Sequence, residues 1–353
     1  MSAARGPGTG DDARWTAAAV ALSERGRGRT TPNPNVGCLI VKDGRVVGRG
    51  WTQPGGRPHA EAMALEQAGA AAEGATVYVT LEPCAHESPR GPACADLLIR
   101  ARPARIVAAL TDPDPRTAGK GFARLREAGI AVTEGVSADL ARRAMAGFLT
   151  RQALGRPHVT LKLATSLDGR IALPSGESRW ITGAEARAHG HLERARADAI
   201  LVGRGTFEAD APRLDVRLAG LEDRSPARFV LSRRSCGGRS PSSDGSASGT
   251  SLEMDPCLRR GDDWGWLDSH QAISSLPANH LLIEGGAGAA SAFLAADLVD
   301  RLLLYRAPIL IGDGRACIGD IGLGSLADAH GCWALTDARS LGTDRLEIYE
   351  RKR

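Results

Sequence analysis

Pro58-His59-Ala60-Glu61, the run Thr76-Val77-Tyr78-Val79-Thr80-Leu81-Glu82-Pro83-Cys84 and, after a loop, Cys94 decide how the first part of this chain is read. Residues 76–81 are rich in β-branched and aromatic side chains and read as a buried strand. The helical pattern before them spans residues 59–72, and a second helix begins near Cys94. Working outward, residues 36–41 and 45–51 read as a hairpin across Lys42-Asp43-Gly44, where Asp-Gly tolerates the positive φ of a tight turn. Asp11 or Asp12 caps a helix reaching about Glu24 and ending at Gly26, and further strands are expected at 106–110 and 130–133. Strands alternating with helices predict an α/β layered domain over residues 11–152, behind a Gly- and Ala-rich disordered tail at 1–10.

The side chains on this frame carry a specific chemistry. A catalytic zinc takes three protein ligands and keeps one position for water. His59, Cys84 and Cys94 supply one imidazole and two thiolates. Glu61 is then free to take a proton from the attacking water and return it to leaving ammonia, the division of labour of nucleobase deaminases. Cysteines near helix N-termini favour the thiolate form. A structural zinc site has no need of Glu61, which counts against a catalytically dead, zinc-stabilised binding protein.

Thr31-Pro32-Asn33-Pro34-Asn35-Val36-Gly37, His59-Ala60-Glu61, Glu82-Pro83-Cys84-Ala85-His86 and Asp112-Pro113-Asp114-Pro115 together resemble the deaminase half of the bifunctional riboflavin-biosynthesis deaminase-reductases. The resemblance implies a cytidine-deaminase-like three-layer domain. Its substrate is a diaminopyrimidinone carrying ribose 5-phosphate, a small phosphorylated pyrimidine. Asn33 would hold the base, His86 would lie near the ribose phosphate, and Asp112 would accept from the departing amino group. Two departures stand out: the family spaces its cysteines one residue closer, and it reads Asp-Pro-Asn-Pro where this chain has Asp114.

The segment Ala153-Leu154-Gly155-Arg156-Pro157 reads as a joint. Beyond it a second α/β pattern has strands near 159–164, 199–203, 228–231, 281–284, 301–305 and 346–349. Val159-Thr160-Leu161-Lys162-Leu163-Ala164, Ser166-Leu167-Asp168-Gly169-Arg170, Ser178-Arg179-Trp180-Ile181-Thr182, Gly203-Arg204-Gly205-Thr206, Asp210-Ala211-Pro212-Arg213-Leu214 and Glu284-Gly285-Gly286-Ala287-Gly288 resemble the reductase half of the same family. That half, residues 157–353, is expected to be dihydrofolate-reductase-like. The G-x-G-x-x-G fingerprint is missing, which argues against a Rossmann domain.

By resemblance, Ala164, Trp180, Thr206 and Asp210 line NADPH. A loop of Gly286, Ala287, Gly288, Ala289, Ala290, Ser291 and Ala292 surrounds its pyrophosphate, as amides at a helix N-terminus favour. Ser178, Arg194, Leu214, Arg217 and Glu284 hold the substrate, the two arginines suiting its phosphate. Hydride goes to C1′ of the ring-opened ribose, and Lys162, Asp210 and Glu284 are the candidates to orient it and manage protons.

Bulk properties bound these readings. A length of 353 residues suits about two domains, and 42 % hydrophobic residues supply ordinary cores. The net charge of +4 comes wholly from residues 1–150, which hold 19 Lys/Arg against 15 Asp/Glu. Neither half carries the concentrated basic field of a nucleic-acid binder. A nucleoside or tRNA deaminase with an unrelated C-terminal domain is therefore the weaker alternative, and the reductase-like stretches also count against it. No apolar run approaches the roughly 18 residues that span a bilayer, and the N-terminus lacks a signal-peptide core. A cytoplasmic homo-oligomer without nucleic-acid or membrane partners is expected, its seven cysteines thiols or ligands rather than disulfides.

From Arg233 to about Trp264 the pattern gives way to Ser, Gly, Asp and Arg, too polar to pack and too long for an ordinary connection. Residues 235–263 are read as a disordered insertion, with Cys236 and Cys257 incidental. Arg233 and Arg234, following strand 228–231, are candidates to meet the 2′-phosphate that distinguishes NADPH from NADH. Deleting residues 235–263 should leave both activities and cooperative melting largely intact. A large loss of either activity in the shortened chain would show that the segment packs.

Overall fold

A computed structural model describes residues 9–86, 88–232 and 264–353. The chain divides into two compact units between Gly155 and Arg156.

The first unit runs α1 (Thr9–Ser23), β1 (Gly37–Lys42), β2 (Arg45–Trp51), α2 (Ala60–Ala68), β3 (Thr76–Val79), α3 (Cys94–Ala101), β4 (Arg105–Ala108), α4 (Lys120–Glu127), β5 (Ala131–Glu134), α5 (Ala138–Ala144) and α6 (Ala146–Leu154). Its sheet has the order β2-β1-β3-β4-β5. The β1–β2 hairpin and the β1–β3 pair are antiparallel, and β3, β4 and β5 are parallel. Side chains alternate across β1, so both faces are covered. Cys38 and Ile40 pack with Ala60 and Ala64 of α2, Leu98 of α3 and Phe122 of α4, while Leu39 and Val41 pack with Ala19 of α1. These are the three layers expected of a cytidine-deaminase-like domain.

Helix α2 lies close on the sheet because β2 offers no side chain at Gly50. A Cβ there would stand 2.1 Å from the Ala60 carbonyl oxygen, at the first residue of α2.

The second unit contains β6 (His158–Thr165), β7 (Arg170–Ala172), α7 (Ala184–Ala195), β8 (Ala199–Gly203), α8 (Arg204–Asp210), β9 (Ala227–Leu231), β10 (Trp264–Leu267), β11 (His280–Glu284), α9 (Ala287–Ala295), β12 (Arg301–Arg306), β13 (Arg315–Ala316), β14 (Trp333–Leu341) and β15 (Asp344–Arg351). Eight strands form one sheet in the order β10-β9-β8-β11-β6-β12-β15-β14. It is parallel from β10 to β12 and closes with antiparallel β15 and β14. Strands β7 and β13 pair separately.

Several expectations need adjusting. The helix expected over 59–72 stops at Ala68, because Gly69 takes φ +51 and a 3₁₀ turn follows. Thr9 and Gly10, assigned to a tail, open α1. Strands β10 and β14 were not anticipated: β14 is an edge strand exposed over much of its length, so it lacks a hydrophobic run. Residues 287–292 are helix rather than loop, since α9 starts at Ala287. Arg233, Arg234, Cys236, Cys257 and the expected insertion at 235–263 lie outside the described residues. Among the described residues no helix is long and apolar enough to cross a membrane.

Gly50→Ala should destabilise the first unit by about 1–3 kcal/mol, the usual cost of overpacking, and lower its calorimetric transition. An unchanged transition would mean that α2 retreats from the sheet without penalty.

Candidate active sites

His59 is the N-cap of α2 in extended conformation, so its ring leaves the chain just before the helix and Glu61 enters in the first turn. Cys84 follows β3, and Cys94 is the first residue of α3, whose amide donates to Cys84 Sγ at 3.2 Å. His59 Nδ1 lies 3.6 Å from Cys84 Sγ and 3.4 Å from Cys94 Sγ. A tetrahedral zinc with about 2.3 Å to sulfur and about 2.0–2.1 Å to nitrogen separates N and S ligands by about 3.5 Å, so these three atoms fit the ion. They form the one cluster of metal-ligating side chains among the described residues.

Electrostatics distinguish the members. Cys84 is held well below the ordinary thiol value, first by the hydrogen bond from the Cys94 side chain and then by His59, despite burial. Glu61 is buried and pushed up to about 7, chiefly by burial, with His59 opposing and Cys84 adding to the rise. Beneath it, Cys38 stays a neutral thiol because burial raises it.

Of the other predicted residues, Asn33 and Asp112 lie beside this cluster. The Asn33 amide nitrogen donates to Gly56 O at 3.2 Å and lies 3.3 Å from His59 Nε2. Asp112 leaves the end of β4, accepts the Asp114 amide at 2.9 Å and is raised to about 6, mainly by burial. His86 Nδ1 is 3.3 Å from Thr117 Oγ1. The extra charge of Asp114 is met locally, since Arg116 Nε lies 3.0 Å from both carboxylate oxygens. The longer spacing from Cys84 to Cys94 is accommodated by a fold-back in which Gly91 N donates to Ser88 O at 3.0 Å, and both sulfurs still converge on His59. Glu87 lies outside the described residues.

The second unit holds a cavity of about 630 Å³, a size that suits cofactor-scale ligands. Lys162, Ala164, Ser178, Trp180, Arg194, Thr206, Asp210, Leu214, Arg217, Glu284 and Gly286 all line it. At its floor Arg194 donates through Nε and Nη2 to the two oxygens of Glu284 at 2.7 and 2.9 Å, and through Nη1 to Asp215 O at 2.9 Å. One N–H on each terminal nitrogen is left for an anion. Burial would raise Glu284, but Arg194 and Lys162 outweigh it and hold the carboxyl at about 2. Lys162 Nζ stands 3.9 Å from Glu284.

Thr206 Oγ1 accepts the Gly286 amide at 3.1 Å and so ties α8 to the N-cap of α9. Residues 287–292 are placed differently from expectation. Ala290 is fully buried, with its amide bonded to Gly286 O at 3.3 Å, and Ser291 Oγ accepts from Gly319 N at 2.8 Å. Of residues 286–292 only Gly286 lines the cavity, while 287–292 lie within α9. Tyr305 was not anticipated. It sits opposite Ala164 in the β6–β12 register, under the Lys162 ammonium, with its hydroxyl 2.7 Å from His189 Nδ1. Pairing of β6 with β12 and packing of α7 bring these groups together, and nothing in the sequence signals it.

Fold and cluster define a zinc-dependent deaminase unit joined in one chain to a dihydrofolate-reductase-like unit. Residues 9–110 match the cytidine and deoxycytidylate deaminase zinc-binding region, and residues 157–344 match the RibD C-terminal domain. The riboflavin biosynthesis protein RibD of Escherichia coli is 42 % identical over 344 residues, covering 90 % of this chain and 94 % of that protein. A solved Acinetobacter baumannii RibD superposes with a TM-score of 0.82 at 36 % identity, over 98 % of this chain and 100 % of that one. A Thermotoga maritima structure described as a diaminohydroxyphosphoribosylaminopyrimidine deaminase/5-amino-6-(5-phosphoribosylamino)uracil reductase gives 0.82 at 30 % identity, over 97 % and 99 %. The chain belongs to the RibD family, the bifunctional deaminase-reductases of riboflavin biosynthesis.

Glu61→Gln should keep about one zinc per chain but lower deamination by about 10²–10⁴-fold, the usual contribution of a general acid–base. Reduction of pre-deaminated substrate should continue. Metal analysis and the two separate assays check this, and joint loss of both activities would show that the units are not chemically independent.

Proposed function

We propose that the first unit hydrolyses the 2-amino group of 2,5-diamino-6-(5-phosphoribosylamino)pyrimidin-4-one, and that the second reduces the ribosyl product to the ribityl chain with NADPH. The observation that carries this reading is Glu61, buried and free of the ligand set, beside three atoms spaced for one tetrahedral zinc. His59, Cys84 and Cys94 hold the ion, which when bound lowers the pKa of the attacking water. Glu61 takes a proton from that water and delivers it to the departing amino nitrogen. Asp112 accepts an N–H of the same amino group and orients it, while Asn33 holds the base and His86 lies toward the ribose phosphate.

In the second unit NADPH supplies hydride when bound. Ala164, Trp180, Thr206, Asp210 and the first turn of α9 face it, and Ser178, Leu214, Arg194, Arg217 and Glu284 hold the substrate. Glu284, kept ionised by Arg194, has no proton to give at neutral pH. Lys162, 3.9 Å away, is the group that donates a proton to the nitrogen of the ring-opened C1′=N bond as C1′ takes the hydride, giving the ribitylamino chain. Cys38, Cys84, Cys94, Cys317 and Cys332 form no disulfide, which suits a reducing, cytoplasmic setting.

Incubating the purified protein with the diaminopyrimidinone phosphate, with and without NADPH, tests the whole sequence by mass spectrometry. Without NADPH the deaminated ribosyl compound should accumulate, and with it the ribityl compound. Deamination of cytidine or a tRNA in place of the pyrimidinone would overturn the assignment.

A further inference from the structure

Glu82 stands between β3 and the ligand Cys84, is 3 % exposed, and has no part in the chemistry described so far. Its two oxygens are saturated by backbone donors from a segment thirty to forty residues away in the chain. Oε2 accepts from Asp112 N at 3.1 Å and Gly119 N at 2.9 Å, and Oε1 accepts from Gly121 N at 2.9 Å and Phe122 N at 3.2 Å. Gly119 is the N-cap of α4 and has no side chain to cap it. Without Glu82 the buried amides of Asp112, Gly121 and Phe122 would lose this partner, a cost of about 1–3 kcal/mol for each group left bare.

The same carboxylate thus grips the amide of Asp112 and the first turn of α4 from a position two residues before a metal ligand. The Glu82 amide in turn donates to Leu110 O at 2.8 Å, so residues 82–84 and 110–112 leave the sheet side by side. Gly121 permits the close approach, because a Cβ there would lie 2.1 Å from Pro83 O.

We propose that Glu82 is a positioning residue of the deamination: it sets the place of Asp112 relative to Cys84, and hence of the substrate's amino group relative to the metal. This rests on the reading in which Asp112 receives that amino group. A carboxylate serves because it accepts on both oxygens at once. A glutamine keeps one accepting oxygen and turns an NH₂ toward the other pair of N–H donors.

The test uses full-length, zinc-loaded enzyme. Glu82→Gln should lower kcat/KM for deamination by about ten- to hundredfold, the scale of a misplacement near 1 Å. Zinc content and reduction of pre-deaminated substrate should be unchanged. Because Glu82 acts through Asp112, the same change in an Asp112→Asn background should cost little more, which a purely structural cap would not reproduce. Gly121→Ala, which keeps the Glu82 carboxylate but sets a Cβ 2.1 Å from Pro83 O and 3.1 Å from Glu82 Oε1, should give the same pattern and carries the test if Glu82→Gln sheds its metal. Full deamination by Glu82→Gln, or losses that simply multiply with Asp112→Asn, would overturn the proposal. Failure of the unaltered enzyme to deaminate the pyrimidinone would overturn both it and the functional reading, and is visible before any variant is compared.

Discussion

A carboxylate taken out of water must be solvated by the protein, and the way Glu284, Glu82 and Glu61 meet that demand organises both units. Glu284 ends β11 against the Arg194 guanidinium, which lowers its pKa to about 2 and fixes it as an acceptor on the cavity floor. Glu82 meets the requirement with four backbone amides, which ties two strand ends and a helix together. Glu61 has no such cradle, and burial raises it to about 7. Side chains of one type therefore differ in protonation according to their donors.

The sheets place these groups. In each unit parallel strands end side by side, and the residues just beyond those ends converge. Cys84 and Asp112 follow the neighbouring strands β3 and β4. Lys162 on β6 and Glu284 on β11 are directly paired in register. Helix N-termini complete each site, with α2 presenting His59 and Glu61, α3 presenting Cys94, and α9 starting just after Gly286.

Within the family, the chain shows how a site absorbs local change. Arg116, two positions after Asp114, pairs with it, so that charge is neutralised where it arises. The longer loop between Cys84 and Cys94 folds back at Ser88 and Gly91 while both sulfurs keep their distance to His59. Ligand spacing in sequence is thus a looser constraint than ligand spacing in space.

Sequence alone determined what local chemistry can encode. The hairpin at Asp43-Gly44, the β-rich run before Cys84, the His-x-Glu opening a helix and the two distant cysteines were legible because turn propensity, alternation and ligand type are properties of a few neighbouring residues. The start of α9 was misjudged because Gly-rich runs do not mark where a helix begins. Edge strand β14 left no signal, since an exposed strand needs no hydrophobic alternation. What only tertiary structure decided were the long-range partnerships: Arg194 with Glu284, Tyr305 with His189, and Glu82 with the amides of the Asp112 loop. These join residues far apart in the chain, and a backbone amide has no side-chain identity by which sequence could name it as a partner.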